Sequence, residues 1–407
     1  VSYFEQRRAF AGTINKPQNI WMTKSGTESN MSYSLPIKDD DRIAFRVAAR
    51  EANTIRHIVP LTQLLLLTGA AEWRVTSVNS DAITPSTISV RPQSYVGASN
   101  VQPAIINNTL IYGAARGGHV RELAYNWQAN GFITGDLSLR APHLFDTYDI
   151  KDMAYSKAPY PVVWFVSTSG KLLGLTYVPE QQIGAWHQHD TDGTFESCAV
   201  VAEGNEDRLY AVVQRTINGV SKRYVERLAS RQFVDQADAF FVDSGLTYDS
   251  TPATTISGLS HLEGKTVSIL ADGAVHPQRV VTSGSITLDN AASTVHIGLP
   301  IEADLQTLPM AFQIDNAFGQ GRRKNVNAAW LRVYRSSGIF VGPALDRLTE
   351  AKQRTTESYG SPPALKSDEI QVVIPPNWGN DGQIFVRQSD PLPLTIASLT
   401  LEVEVGG

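Results

Sequence analysis

The residues best spaced for chemistry are His187-Gln188-His189-Asp190. Alternate residues of a strand share a face, so His187 and His189 could both reach one metal ion, as imidazoles do in catalytic zinc sites. Such a site needs a third protein ligand and an open position, and the sequence offers no clear third partner. The pair therefore reads as a strand end before the Thr191-Asp192-Gly193 turn. Asp39-Asp40-Asp41 gathers three carboxylates but lacks the alternating spacing and closing Glu of a calcium loop, and reads as a solvated turn. Arg116-Gly117-Gly118-His119 has two glycines but not the Lys-Ser/Thr and helix that complete a phosphate loop.

Cys198 lies in the apolar run Ser197-Cys198-Ala199-Val200-Val201 and reads as a small core residue rather than a nucleophile. Arg322-Arg323-Lys324 reads as a solvated strand entrance. Gly-x-Ser-x-Gly is absent, no carboxylate pair stands out as a glycosidase set, and the seven Trp are spread along the chain rather than clustered as a stacking platform. The expectation is a protein that is not an enzyme, with no catalytic, cofactor-binding or metal-binding residues.

The elements carrying these residues repeat. A short apolar strand, a turn and a second strand recur five times. The first strands are Arg8 to Thr13, Leu64 to Gly69, Leu110 to Ala114, Val162 to Val166 and Leu209 to Val213. Their partners begin at Ile20, Glu72, Val120, Leu172 and Arg223, at intervals of 48 to 52 residues. Paired strands at such a period mark propeller blades, because a four-stranded sheet that cannot bury both faces alone must stack on its neighbours. Apolar residues of these strands, from Phe10 to Tyr210, are expected to fill the space between blades. Gly69, Gly113, Gly170 and Gly219 are expected to supply the positive φ of hairpin turns. A sandwich with irregular hairpins fits the regular spacing less well.

The rhythm changes near Asp238. Residues 238–310 read as a small β-barrel-like domain, with strands over Gly264 to Leu270, Arg279 to Val281, Gly284 to Leu288 and Thr294 to Leu299. Residues 311–407 read as a C-terminal β domain, with Ala329 to Tyr334 its strongest strand and Asp346 to Ser367 an exposed loop. The predicted fold is thus all-β: propeller blades over 1–237, the barrel-like insert, and the C-terminal domain packing on or closing the propeller region.

Composition narrows the function classes. The chain has 407 residues, 42% hydrophobic and 18% charged, with 35 Lys plus Arg against 40 Asp plus Glu and a formal charge of −5. That excludes a disordered tail, a coiled coil and a highly charged nucleic-acid binder. The single cysteine excludes an intramolecular disulfide and a cysteine metal cluster. Leu64 to Leu67, the longest apolar block, is far short of the roughly 20 residues that span a bilayer. The chain starts without a methionine and enters a strand pattern almost at once, which reads as a segment of a longer polypeptide.

Several stretches resemble one family. They are Phe4 to Thr13 with Pro17-Gln18-Asn19-Ile20-Trp21, Ile55-Arg56-His57-Ile58-Val59, Val90 to Tyr95, His143-Leu144-Phe145, Leu173-Gly174-Leu175-Thr176-Tyr177, Trp186 to Gly193, and the closing Asp390 to Thr395 with Glu402 to Val405. Together they look like the tail nozzle, or tail tubular protein B, of short-tailed bacteriophages and prophages. Leu246 to Leu308 is similar to a small β-domain named for its likeness to a half-domain of ubiquitin-activating enzymes. The resemblance implies a structural virion protein. It would form a six-fold ring at the tail tip, hold packaged DNA, and conduct it during ejection without sequence-specific binding. It further implies portal or adaptor and tail-fibre or tail-needle partners, no membrane span, and residence in the virion after assembly in the bacterial cytoplasm. The competing reading is a carbohydrate-binding or carbohydrate-cleaving propeller for host-receptor recognition.

Overall fold

A computed structural model describes residues 1–48, 53–79, 81–311, 313–314, 317–354, 356–358 and 361–406. Apart from a few single-turn 3-10 helices, the regular elements are β-strands, and the fold is all-β. Four consecutive sheets are antiparallel meanders in chain order. The first holds β1 (Ser2–Phe4), β2 (Arg7–Ala11), β3 (Asn19–Met22) and β4 (Ile43–Arg46). The second holds β5 (Ile55–Pro60), β6 (Leu64–Thr68), β7 (Glu72–Ser77) and β8 (Ile88–Ser94). The third holds β9 (Ala104–Ile106), β10 (Thr109–Gly113), β11 (Val120–Asn126) and β12 (Gly131–Asp136). The fourth holds β13 (Ile150–Ser156), β14 (Val162–Ser167), β15 (Leu172–Val178) and β16 (Ile183–His189). A fifth has three strands, β17 (Thr194–Glu203), β18 (Glu206–Ile217) and β19 (Val220–Arg227).

Strand alternation explains how the first five sheets associate. In β6 every residue is buried, because successive side chains leave opposite faces and both faces are covered. Leu64 and Leu66 cluster with Ala9, Ile20 and Met22 of the first sheet, while Leu65 and Leu67 cluster with Leu110, Tyr112 and Leu123 of the third. The pattern continues along the chain. Ile111 and Val120 meet Val163 and Phe165, and on the far face of the fourth sheet Val162 and Trp164 meet Cys198 and Leu209. Each fully buried leucine contributes about 2 kcal/mol, so face-to-face stacking is the main stabilising term.

Two details depart from the sequence expectations. The paired strands are the second and third of each sheet; the flanking strands are short or mixed in pattern and carried no repeat signal. Phe10 and Tyr210 are only half-buried, and their neighbours Ala9 and Leu209 enter the clusters instead. Gly170 and Gly219 have the positive φ expected of hairpin turns, whereas Gly69 and Gly113 do not.

The chain divides into two compact units, Val1–Arg215 with Ser221–Leu228, and Thr216–Val220 with Ala229–Gly407. In the second unit, β20 (Asp243–Ser257), β21 (Thr266–Ala271), β22 (Ala274–Val280) and β23 (Ser285–Leu299) form one sheet in the order β20-β23-β21-β22. The two strands expected over Gly284 to Leu299 are thus a single strand, paired with β20 through a series of register shifts. Val267, Ile269, Ile286, Leu288, Val295 and Ile297 supply its apolar cluster. A three-stranded sheet centres on Lys324–Val333, flanked by Glu369–Val373 and Ile396–Val405. Ala303–Gln306 pairs with Phe385–Gln388, and Leu392 joins Ala239 and Leu270 in a small cluster, so segments 238–310 and 311–407 are in contact while each keeps its own main apolar cluster. The loop expected from Asp346 to Ser367 includes the short strand Thr349–Glu350 and the buried Ala351 and Gln353; residues 355, 359 and 360 lie outside those described.

Candidate functional site

In the first unit, a cavity of about 460 Å³ lies where the second, third and fourth sheets meet their connecting loops. Arg56, from the start of β5, and Lys151, from the start of β13, line it with Asp149, Ser99 and Asn100. Backbone from Gly113 through Ala115, with Gly118, completes the wall. The connection from β8 to β9 is fixed by hydrogen bonds from neighbouring segments. Arg56 Nη1 donates to Ala98 O at 2.5 Å, and Ser99 N donates to Gly113 O at 2.7 Å. His57 Nε2 donates to Ser99 O at 2.9 Å, and burial lowers the pKa of this imidazole, so it acts as a neutral donor at neutral pH.

Gly118 shows what the glycines of the Arg116-Gly117-Gly118-His119 turn do. Its φ is +67°, and a Cβ there would lie 1.8 Å from Tyr148 O. The glycine lets the turn press on the backbone that leads into β13, next to Asp149. Close packing, rather than a phosphate cradle, accounts for it.

The histidine pair sits elsewhere, on the outer strand β16. His187 Nδ1 and His189 Nε2 are 2.7 Å apart, with ring centroids 5.6 and 5.5 Å from that of Trp164. Gly174, opposite His187 in register, makes room for it: a Cβ there would come within 2.0 Å of the imidazole. Among the described residues, no group of three His, Cys, Asp or Glu side chains is placed to hold a metal ion. The two imidazoles are hydrogen-bonded to each other and packed against the Trp164 ring.

Asp39-Asp40-Asp41 is not a fully solvated turn. Asp41 is buried, and its carboxylate accepts from Ser34 N at 2.8 Å, Lys38 N at 2.9 Å and Ser34 Oγ at 3.2 Å. The Lys38 amide and the other donors hold its pKa below the usual carboxylate range. Arg7 clamps the same turn through the carbonyls of Thr23, Asp39 and Asp41 at 2.8, 2.7 and 2.6 Å. These carboxylate and carbonyl oxygens already accept protein donors, and the turn is a structural staple.

Lys324 likewise departs from the solvated entrance expected of Arg322-Arg323-Lys324. It is 1% exposed, and its Nζ donates to Asn380 O at 2.7 Å and Arg322 O at 3.2 Å, while Arg322 and Arg323 are exposed. Cys198 is a core residue, its thiol pushed up to about 12 by burial and then by the Asp152 charge.

Sequence reading missed a set of polar ties between consecutive sheets. Tyr177 of the fourth sheet donates its hydroxyl to Glu122 of the third. The Tyr112 hydroxyl of the third sheet faces the buried Glu72 carboxylate of the second, which also accepts from Ser94 Oγ. Trp186 Nε1 donates to Leu137 O at 2.8 Å, Phe132 N to Gln93 Oε1 at 2.8 Å, and Ile83 N to Glu5 Oε2 at 2.7 Å. Each tie joins residues far apart in sequence, which is why no local pattern announces it.

These features define an all-β protein built from many small antiparallel sheets, with a polar cavity in its first unit. No family model and no curated protein matches the chain. Among solved structures, a luciferin-regenerating enzyme aligns at 10% identity and a TM-score of 0.30, covering 72% of this chain and 88% of that one. The Malassezia sympodialis allergen Mala s 1 aligns at 12% identity and a TM-score of 0.25, covering 48% of this chain and 68% of that one. Neither likeness is close enough to bear on function.

Proposed function

We propose that this chain is a structural component of a phage tail, a nozzle that retains packaged DNA and conducts it during ejection. One observation supports the reading best: stretches that resemble the nozzle family supply residues that tie one sheet to the next. Pro17 O accepts from Ile55 N, Glu5 from Ile83, Gln93 from Phe132, and Tyr177 and Trp186 donate to the preceding sheet. His143-Leu144-Phe145 belongs to the same set, since Phe145 is fully buried with its ring centroid 4.8 Å from that of Trp186. Within the first unit, the resembling stretches thus supply residues that join neighbouring sheets, as a load-carrying part requires.

In this proposal the sheets are propeller-like blades, and copies of the chain form a ring, six-fold as in the nozzle family. The ring contacts portal or adaptor proteins above and fibre or needle proteins below. A mildly acidic chain suits a conduit, because a basic wall would hold phosphates and slow their passage. Electron microscopy of the protein assembled with its portal and adaptor tests the reading. Six-fold rings at the distal end of the tail are expected, and tails complete without this chain would overturn it. The cavity favours a second reading, a carbohydrate-binding or carbohydrate-cleaving propeller for host-receptor recognition, which predicts capture or turnover of host-surface glycans where the nozzle reading requires neither.

A further inference from the structure

We infer that the cavity at the start of β5 and β13 is a binding site for a polyhydroxylated monocarboxylate of the uronic-acid class. Arg56 and Lys151 place two cations on its wall and Asp149 one anion, so its side chains sum to a single positive charge. One carboxylate neutralises that balance, and the hydroxyl, amide and carboxylate groups beside the two cations give the neighbouring sugar hydroxyls partners that a bare phosphate would not use. With Nη1 held on Ala98 O, the guanidinium keeps further N–H groups for a carboxylate, and the ammonium gives a second, point-like contact. Asp149 accepts from sugar hydroxyls, while the Ser99 hydroxyl and Asn100 amide can both donate and accept.

Volume agrees with that class. About 460 Å³ exceeds what a bare oxyanion fills and lies in the range of small-molecule sites. The wall is also set in place before any ligand arrives. Arg56 is anchored on Ala98 O, the Ser99 backbone is held by His57 and Gly113, and Gly118 is locked against Tyr148. Gly113 has a further consequence, since a Cβ there would stand 2.8 Å from Ser99 Oγ and crowd the hydroxyl on the cavity wall. Loops held this firmly lose little freedom on binding, which favours measurable affinity from few contacts.

The site does not depend on the tail assignment, because it would exist on a nozzle or on a glycan-directed protein alike. The test is calorimetric titration of the full chain with D-glucuronate, D-glucose and inorganic phosphate at low salt. Saturable glucuronate binding is expected, with glucose and phosphate each at least about tenfold weaker. Lys151→Gln and Arg56→Gln should each weaken glucuronate by about tenfold, the size of one charged contact. Lys151 is exposed, so its variant keeps the test decisive even if Arg56→Gln disturbs the Ala98 contact. Absence of saturable binding, affinity unchanged in Lys151→Gln, or phosphate binding as tightly as glucuronate would each overturn the inference.

Discussion

Tyr112 and Tyr177 show how single side chains join the sheets and how pH acts on them. Burial, then the neighbouring carboxylate, pushes both hydroxyls above their ordinary pKa. The folded protein therefore keeps these protons at pH values where the unfolded chain has lost them. Their stabilisation is fully present below about pH 10 and is lost as pH rises beyond it, by up to about 1.4 kcal/mol per pH unit for each tyrosine. Urea unfolding at pH 9 and at pH 11 should show this loss, and Tyr177→Phe should make the fall shallower. At neutral pH the same variant should cost roughly 1–3 kcal/mol, because Glu122 loses a buried donor. Cys198 was legible as a core residue because apolar neighbours surround it in sequence. Asp41 and Lys324 were not, since the donors and acceptors that satisfy them come from loops whose path the local sequence does not specify.

At the level of elements, the repeat was clearest at β6, β10 and β14, the second strands of their sheets, because these are buried on both faces and almost uniformly apolar. Leu64 to Leu67 is the clearest example. The flanking strands, such as β8 with Arg91 and Pro92 exposed, mix polar and apolar residues and merge with loops in a linear reading. In the second unit the long β23 escaped for another reason. Its register shifts against β20 break the alternation that would mark one continuous strand. Two-sided burial makes a direct prediction: Leu65→Ala and Leu66→Ala should each cost roughly 2–5 kcal/mol, although their side chains point in opposite directions. A sheet with one wet face would tolerate one of the two. Chemical denaturation of both variants distinguishes the cases.

For the whole molecule, the sequence made the all-β class plain, while the contact between segments 238–310 and 311–407 was hidden. Leu392 reaches Ala239 and Leu270 across more than a hundred residues, a contact no window of sequence contains. Each of the two units holds its own apolar clusters, and each can lose its packing separately. Differential scanning calorimetry should therefore resolve two transitions, or a van't Hoff enthalpy clearly below the calorimetric value, instead of one two-state peak. The cavity was equally hidden, because Arg56, Ser99 and Lys151 come from three separate parts of the chain.

The polar ties between consecutive sheets have a mechanical consequence. Sliding one sheet across the next must shear the Tyr177 to Glu122 contact, the Trp186 to Leu137 contact and the interlocked side chains around them at the same time. Bonds loaded in parallel share a pulling force, whereas bonds loaded in sequence open one by one like a zip. Such a stack resists lateral traction far better than its modest count of hydrogen bonds suggests.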